Sequence, residues 1–255
     1  MKAANDTTWQ NARALVVVAK PAIAGEVKTR LCPPLTSLQA RALYECLLKD
    51  VVAKMGKYSD ADLWVAFAPN GEEYFRRHFA GTVRLIAQRG RDLGERLHHV
   101  FVDLFHRGYR EIVITDSDSP TVPLSSIELA YGKLADEQCQ LVLGPSMDGG
   151  YYLIGLKSPV QELFQRISWS TEAVLSQTLQ RASEAELRTA LLPRAYDIDV
   201  ERDLHRLRSD LGKHHGLQEL VPRTAVFLQS FFKEPEGPVG DTPKSPPWAK
   251  EEEIL

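Results

Sequence analysis

The chain has 255 residues, is 44% hydrophobic and 25% charged, and carries a formal net charge of -3. That composition is ordinary for a soluble globular protein, and the acidic balance speaks against a nucleic-acid partner, which normally leaves a basic footprint. No apolar run approaches the roughly 20 residues of a membrane span, so no membrane partner is expected. The three cysteines are too few and too widely spaced for a disulfide framework or a cysteine-rich zinc site. The N-terminal MKAANDTTWQNARA has no apolar core of the signal-peptide kind, so a reduced, cytoplasmic protein is expected.

Residues 14–19 (ALVVVA) form an uninterrupted apolar run and predict a first strand. The loop KPAIAGEVKTRLCPPL follows, with Lys20, Lys28 and Arg30. A loop of this kind after a first strand suits a polyphosphate: Gly25 lets backbone approach closely, and Lys28 and Arg30 bring charge. It lacks the Gly-Lys-Ser/Thr ending of a Walker A loop and the Gly-x-Gly-x-x-Gly dinucleotide pattern. It also suits a solvated basic loop.

Thr36 and Gln39 make a capping box for a helix reaching about Gly56, with a buried stripe of Leu43, Leu47, Leu48, Val51, Val52 and Met55. Residues 63–68 predict a second strand, 70–79 a short charged helix and 83–88 a third strand. Asp92 is placed to cap the next helix, with Glu95 at its third position and Gly108 at its end. Gln88, Arg91 and Asp92 sit at a strand end, where they could face the same crevice as Asp118.

The fourth strand leads into EIVITDSDSP, residues 111–120. Ile112, Val113 and Ile114 suit a central parallel strand buried on both faces, and Pro120 ends it. Ligands in open α/β sheets bind beyond the carboxyl ends of the strands. There Asp116 and Asp118, one residue apart, can share a hard divalent cation that bridges to phosphate. The same pair suits an Asx-turn or a helix cap.

A helix over 124–136 and a fifth strand over 140–143 come next. GPSMDGGYYLIGL then sets Asp148 beside Gly149 and Gly150, ahead of a strand starting at Tyr151. Paired glycines mark a tight turn, or a loop lying against a ligand with Asp148 pointing into the site. ISWSTEAVL predicts a helix from Ser170 or Thr171, whose amides could hold an anion. Residues 187–192 read as an edge strand. In YDIDVERDL, Asp199 stands as either an N-cap or a metal ligand. One last helix is expected over 214–232, and a Pro-rich, disordered tail from Glu234. The domain plan is thus a flexible 1–12, a folded 13–233 and a tail over 234–255. The histidines show no metal-ligand spacing.

Alternating strands and helices imply an α/β fold with a single, mostly parallel twisted sheet flanked by helices. AKPAIAGEVKTRL, GRDLGERL, ITDSDSP, GPSMDGGYYLIGL, ISWSTEAVL and YDIDVERDL, in that order, resemble a bacterial glycosyltransferase-A-like family of nucleotide-diphospho-sugar transferase fold. That family is associated with radical-SAM and arsenosugar chemistry. It is similar to the phospholactate guanylyltransferases and the molybdenum-cofactor nucleotidyltransferases.

The resemblance implies an enzyme that binds a nucleotide-sugar or nucleoside triphosphate, a small-molecule acceptor and one Mg²⁺ or Mn²⁺. It implies phosphate contacts from Gly25, Lys28, Thr29 and Arg30, a metal ligand in Asp118, and an acceptor-side loop of Asp148, Gly149 and Gly150. From the pair Asp197 and Asp199 it implies a completing ligand, taken here as Asp199. Asp116 stands where that family usually has Gly. The resulting Asp-x-Asp favours glycosyl transfer over its alternative, nucleotidyl transfer with pyrophosphate release. A haloacid-dehalogenase-type phosphotransferase also has an Asp-x-Asp strand end, but near its N-terminus, whereas here three strands precede it. A non-catalytic nucleotide-binding module is the remaining alternative.

Overall fold

The β-branched run that ends in Asp116 lies at the centre of a seven-stranded sheet. The structure is a computed structural model that describes residues 12–232. The expectations of a flexible N-terminus and a disordered tail lie outside the described residues. The strands are β1 (Arg13–Ala19), β2 (Asp62–Phe67), β3 (Arg84–Ala87), β4 (Glu111–Thr115), β5 (Leu141–Pro145), β6 (Tyr151–Leu156) and β7 (Thr189–Leu191), in the sheet order β3-β2-β1-β4-β6-β5-β7. The helices are α1 (Ser37–Met55), α2 (Glu72–Phe79), α3 (Leu93–His106), α4 (Leu124–Leu134), α5 (Val174–Glu184), α6 (Glu201–Lys213), α7 (His215–Leu220) and α8 (Pro222–Phe231).

The inner strands are apolar at successive positions because both faces of the sheet are covered. Leu15, Val17, Val65 and Val113 pack under α1, α2 and α4. Ala14, Val16, Trp64, Ile112 and Ile114 pack under α3 and α5. A further layer of α6, α7 and α8 lies on the outer side of α1, where Leu43 and Leu47 meet Leu204, Leu207, Phe227 and Leu228. None of the described helices is long and apolar enough to cross a membrane.

β6 departs from the expected parallel pattern. It runs antiparallel to both β4 and β5, so the central strand β4 has one parallel and one antiparallel neighbour. The cause is local: β5 and β6 are joined by residues 146–150, too short for a crossover and long enough for a hairpin. α5 begins at Val174, later than expected, because residues 169–173 form turns. The expected single last helix is two, α7 and α8, with Pro222 opening the second. Asp199 does not cap α6: Asp203 accepts the amides of Val200 (2.8 Å) and Asp199 (3.0 Å), leaving the Asp199 carboxylate free to point elsewhere.

Candidate active site

Strand order reverses between the parallel neighbours β1 and β4, with β2 and β3 on one side of β1 and β4 on the other. Their carboxyl ends therefore bound the crevice where open α/β sheets take ligands. β5 and β7 run parallel to each other and antiparallel to β6. The loops after β1, β4, β5 and β7 thus meet on one edge. Backbone bonds fix their order there. The Ile198 amide donates to the Asp118 carbonyl at 3.0 Å, and the Met147 amide to the Ala195 carbonyl at 3.0 Å.

The first loop brings Lys28 to the β4 loop. Lys28 sits in the left-handed region at φ 50, ahead of a short 3-10 turn over Thr29–Leu31. Its side chain is 4% exposed, and Nζ lies 2.9 Å from Asp118 Oδ2 and 3.9 Å from Asp199 Oδ1. Burial opposes the ammonium, but Asp118, Asp199 and Asp197 outweigh it and raise its pKa above the ordinary lysine value. Arg30, largely exposed, pairs through NH1 with Asp199 Oδ2. Gly25 (φ 81) and Thr29 line the exposed part of this loop.

Asp116 closes the β4 turn. Its Oδ1 accepts the amides of Ser119 (3.0 Å) and Asp118 (3.2 Å), and its Oδ2 accepts the Ser119 hydroxyl (2.8 Å). Burial, and then the neighbouring Asp118, push its carboxyl up to about 7. The Asx-turn reading of Asp116 is therefore realised, and of its two oxygens Oδ2, with a single bond, keeps the spare acceptor capacity. Tyr44 of α1 ties the two loops: its hydroxyl accepts the Lys20 amide (2.9 Å) and meets the Ser117 hydroxyl (3.1 Å).

Across the crevice, Ser146 donates to Asp197 (3.1 Å), and burial together with Asp148 raises the Asp197 carboxyl. Asp148 is exposed and accepts the Gly150 amide at 2.9 Å. Gly149 has φ +91, and a Cβ there would lie 2.3 Å from the Glu172 carbonyl oxygen, so only glycine fits. Contact or charge thus links Lys28 to Asp118, Asp199 and Asp197, Arg30 to Asp199, and Asp197 to Asp116 and Asp148.

Gln88 and Asp92 lie on the same edge but at β3, beyond β2 and β1 from β4. Gln88 is buried and donates to the Ala66 carbonyl (2.6 Å), while Asp92 accepts the Glu95 amide (2.8 Å) and caps α3. Arg91 is exposed and pairs with Glu95. The structure does not bring these three to Asp118.

For a divalent ion, the donor chemistry fits: carboxylates outnumber the two cations, Lys28 and Arg30, and burial, and then neighbouring carboxylates, raise the carboxyls of Asp116 and Asp197. Among the described residues, however, no three such groups converge on one point. Asp118 and Asp199, 34% and 33% exposed at their side chains, are both open to solvent and to Lys28, with Asp118 the nearer.

A family model described as "Uncharacterized protein conserved in bacteria (DUF2064)" matches residues 51–171. No curated protein matches the sequence. A solved structure from Desulfovibrio desulfuricans G20, provisionally named a nucleotide-diphospho-sugar transferase, is 27% identical with a TM-score of 0.76, over 87% of this chain and 98% of its own. The inositol-1-phosphate CTP transferase of T. maritima is 14% identical with a TM-score of 0.53, over 84% and 96%. A CMP:2-keto-3-deoxy-manno-octonic acid synthetase complexed with CTP is 12% identical with a TM-score of 0.52, over 79% and 98%.

Proposed function

We propose, for a chain that folds as a nucleotide-diphospho-sugar transferase of the glycosyltransferase-A-like type, that it transfers a glycosyl group from a nucleotide-sugar to a small acceptor. The observation that carries this is the buried Lys28 held by Asp118 and Asp199 beyond the carboxyl ends of β1 and β4. A desolvated cation on a rim of carboxylates is suited to a diphosphate leaving group with its counter-ion. The likeness to the Desulfovibrio protein supports a nucleotide-activated donor.

Lys28 and Arg30 take the phosphates, and Gly25 and Thr29 let backbone approach them. Asp118, with Asp199 and Asp116 around it, would hold Mg²⁺ or Mn²⁺. The ion, when bound, supplies charge neutralisation at the phosphates. Asp148, on the opposite rim with Gly149 and Gly150, orients the acceptor hydroxyl and takes its proton. Gln88 and Asp92, further along the edge at β3, are assigned to the nucleoside rather than to the phosphates. The protein acts in a reducing cytoplasm, in keeping with its three free cysteines.

One observation favours a second reading. Both Asp116 oxygens are engaged inside the turn, so the Asp-x-Asp presents one open carboxylate. That suits nucleotidyl transfer, in which a nucleoside triphosphate loses pyrophosphate. Product analysis separates the readings: nucleoside diphosphate released from a nucleotide-sugar supports glycosyl transfer, and pyrophosphate from a nucleoside triphosphate supports the second. Binding without turnover across the donor panel would contradict both.

A further inference from the structure

Lys54 is the one described lysine that is buried throughout, at 1% exposure, and it stands apart from the cations assigned to the phosphates. It lies in the last turn of α1, beneath the edge where the β4 loop emerges. Its Nζ donates to the Pro120 carbonyl at 2.6 Å, and among the described residues that is its hydrogen-bond partner. Asp116 and Asp50 are the carboxylates whose charge favours the ammonium. Asp50, one turn earlier and also 1% exposed, is itself engaged by the Thr224 amide (2.8 Å) and by Arg223 (3.2 Å) at the start of α8.

Burying an ammonium costs several kcal/mol that a single carbonyl does not recover. Methionine would fill the same space without that cost. The position of the ammonium therefore points to what it holds. The turn over 116–120 is fastened from inside by Asp116, which gathers the Asp118 and Ser119 amides. Its exit is fastened from below by Lys54 through Pro120. Asp118 sits between the two fastenings.

We infer that Lys54 is a positioning residue, fixing the 116–120 turn from beneath so that Asp118 faces the metal and nucleotide phosphates. The inference rests on the reading under Proposed function. Outer partners that orient ligating groups typically contribute 10–100-fold in metal affinity.

The test compares the full chain with Lys54→Met, well below both melting temperatures. Mn²⁺ dissociation constants are measured with a nucleoside triphosphate and with a nucleotide-sugar. Amide exchange is followed at Asp118 and Ser119 in the absence of metal. The expected result is at least a tenfold weaker Mn²⁺·nucleotide complex, with faster exchange at those two amides and unchanged exchange in β1. A purely packing role would lower protection throughout and leave the dissociation constant of the folded fraction unchanged; that result overturns the inference. If the wild type itself binds no Mn²⁺·nucleotide, the functional reading fails, and the exchange experiment alone decides on Lys54. Lys54→Gln, neutral and shorter, carries the same expectations if Lys54→Met does not fold.

Discussion

Lys28 Nζ lies 2.9 Å from Asp118 Oδ2, a contact between the loop after β1 and the loop after β4. The two residues are 90 apart in sequence, and the switch in strand order is what brings them together. The pair leaves the crevice with a cation already in place, before any ligand arrives.

Lys28→Met removes that cation while keeping most of the side-chain volume. Nucleoside triphosphate affinity should fall about tenfold, the scale of one charge-assisted hydrogen bond. Mn²⁺ alone should bind at least as tightly as in the wild type, because Asp118 and Asp199 lose a competitor. Calorimetric titrations of each ligand check both halves. Weaker Mn²⁺ binding without nucleotide would count against the arrangement.

Gly149→Ala should destabilise the protein by about 2–4 kcal/mol, since the new Cβ meets backbone of Glu172 in a conformation that already disfavours L residues. Urea unfolding measures it. The Gly149 carbonyl also accepts the Leu175 amide at 2.9 Å, so the variant should loosen the start of α5.

Lys54 gives the stability curve a definite sign with pH. Burial pushes its ammonium down from 10.5 to about 8, against Asp116 and Asp50. The fold therefore disfavours the charged form. The penalty is complete below pH 8, where folded and unfolded chains both carry the proton, and it fades as pH rises towards 10.5. Lys54→Met has no such term. The stability of the wild type relative to Lys54→Met should therefore rise by on the order of 3 kcal/mol between pH 7 and 10. Parallel curves would mean that Lys54 keeps its ordinary affinity for a proton.

Much of this architecture is legible residue by residue. Thr36 and Gln39 form the reciprocal capping box their spacing implies, and Leu43, Leu47, Leu48, Val51, Val52 and Met55 are all buried. Asp199 stood open between cap and ligand because a single Asp before a helix suits either; Asp203, inside the helix, takes the capping place by reaching back. Lys54 was hidden because its burial depends on how α1 lies over the β4 loop, and a lysine beside Met55 ordinarily points to water. The β5–β6 hairpin was signalled by Gly149 and Gly150, but its consequence for strand direction follows only from the loop's length. Pro222 marked the break before α8.

The central claim is that Asp118 is a functional carboxylate at a nucleotide site and not a structural cap. Its side chain accepts no backbone amide among the described residues; Lys28 and the Ser117 hydroxyl are its partners. The measurement is a nucleotide titration at fixed Mn²⁺, wild type against Asp118→Asn, with melting temperature read on the same samples. The account predicts a folded Asp118→Asn variant that melts near the wild type and shows no Mn²⁺-dependent nucleotide binding. A variant that unfolds, with undiminished binding in whatever stays folded, would contradict it.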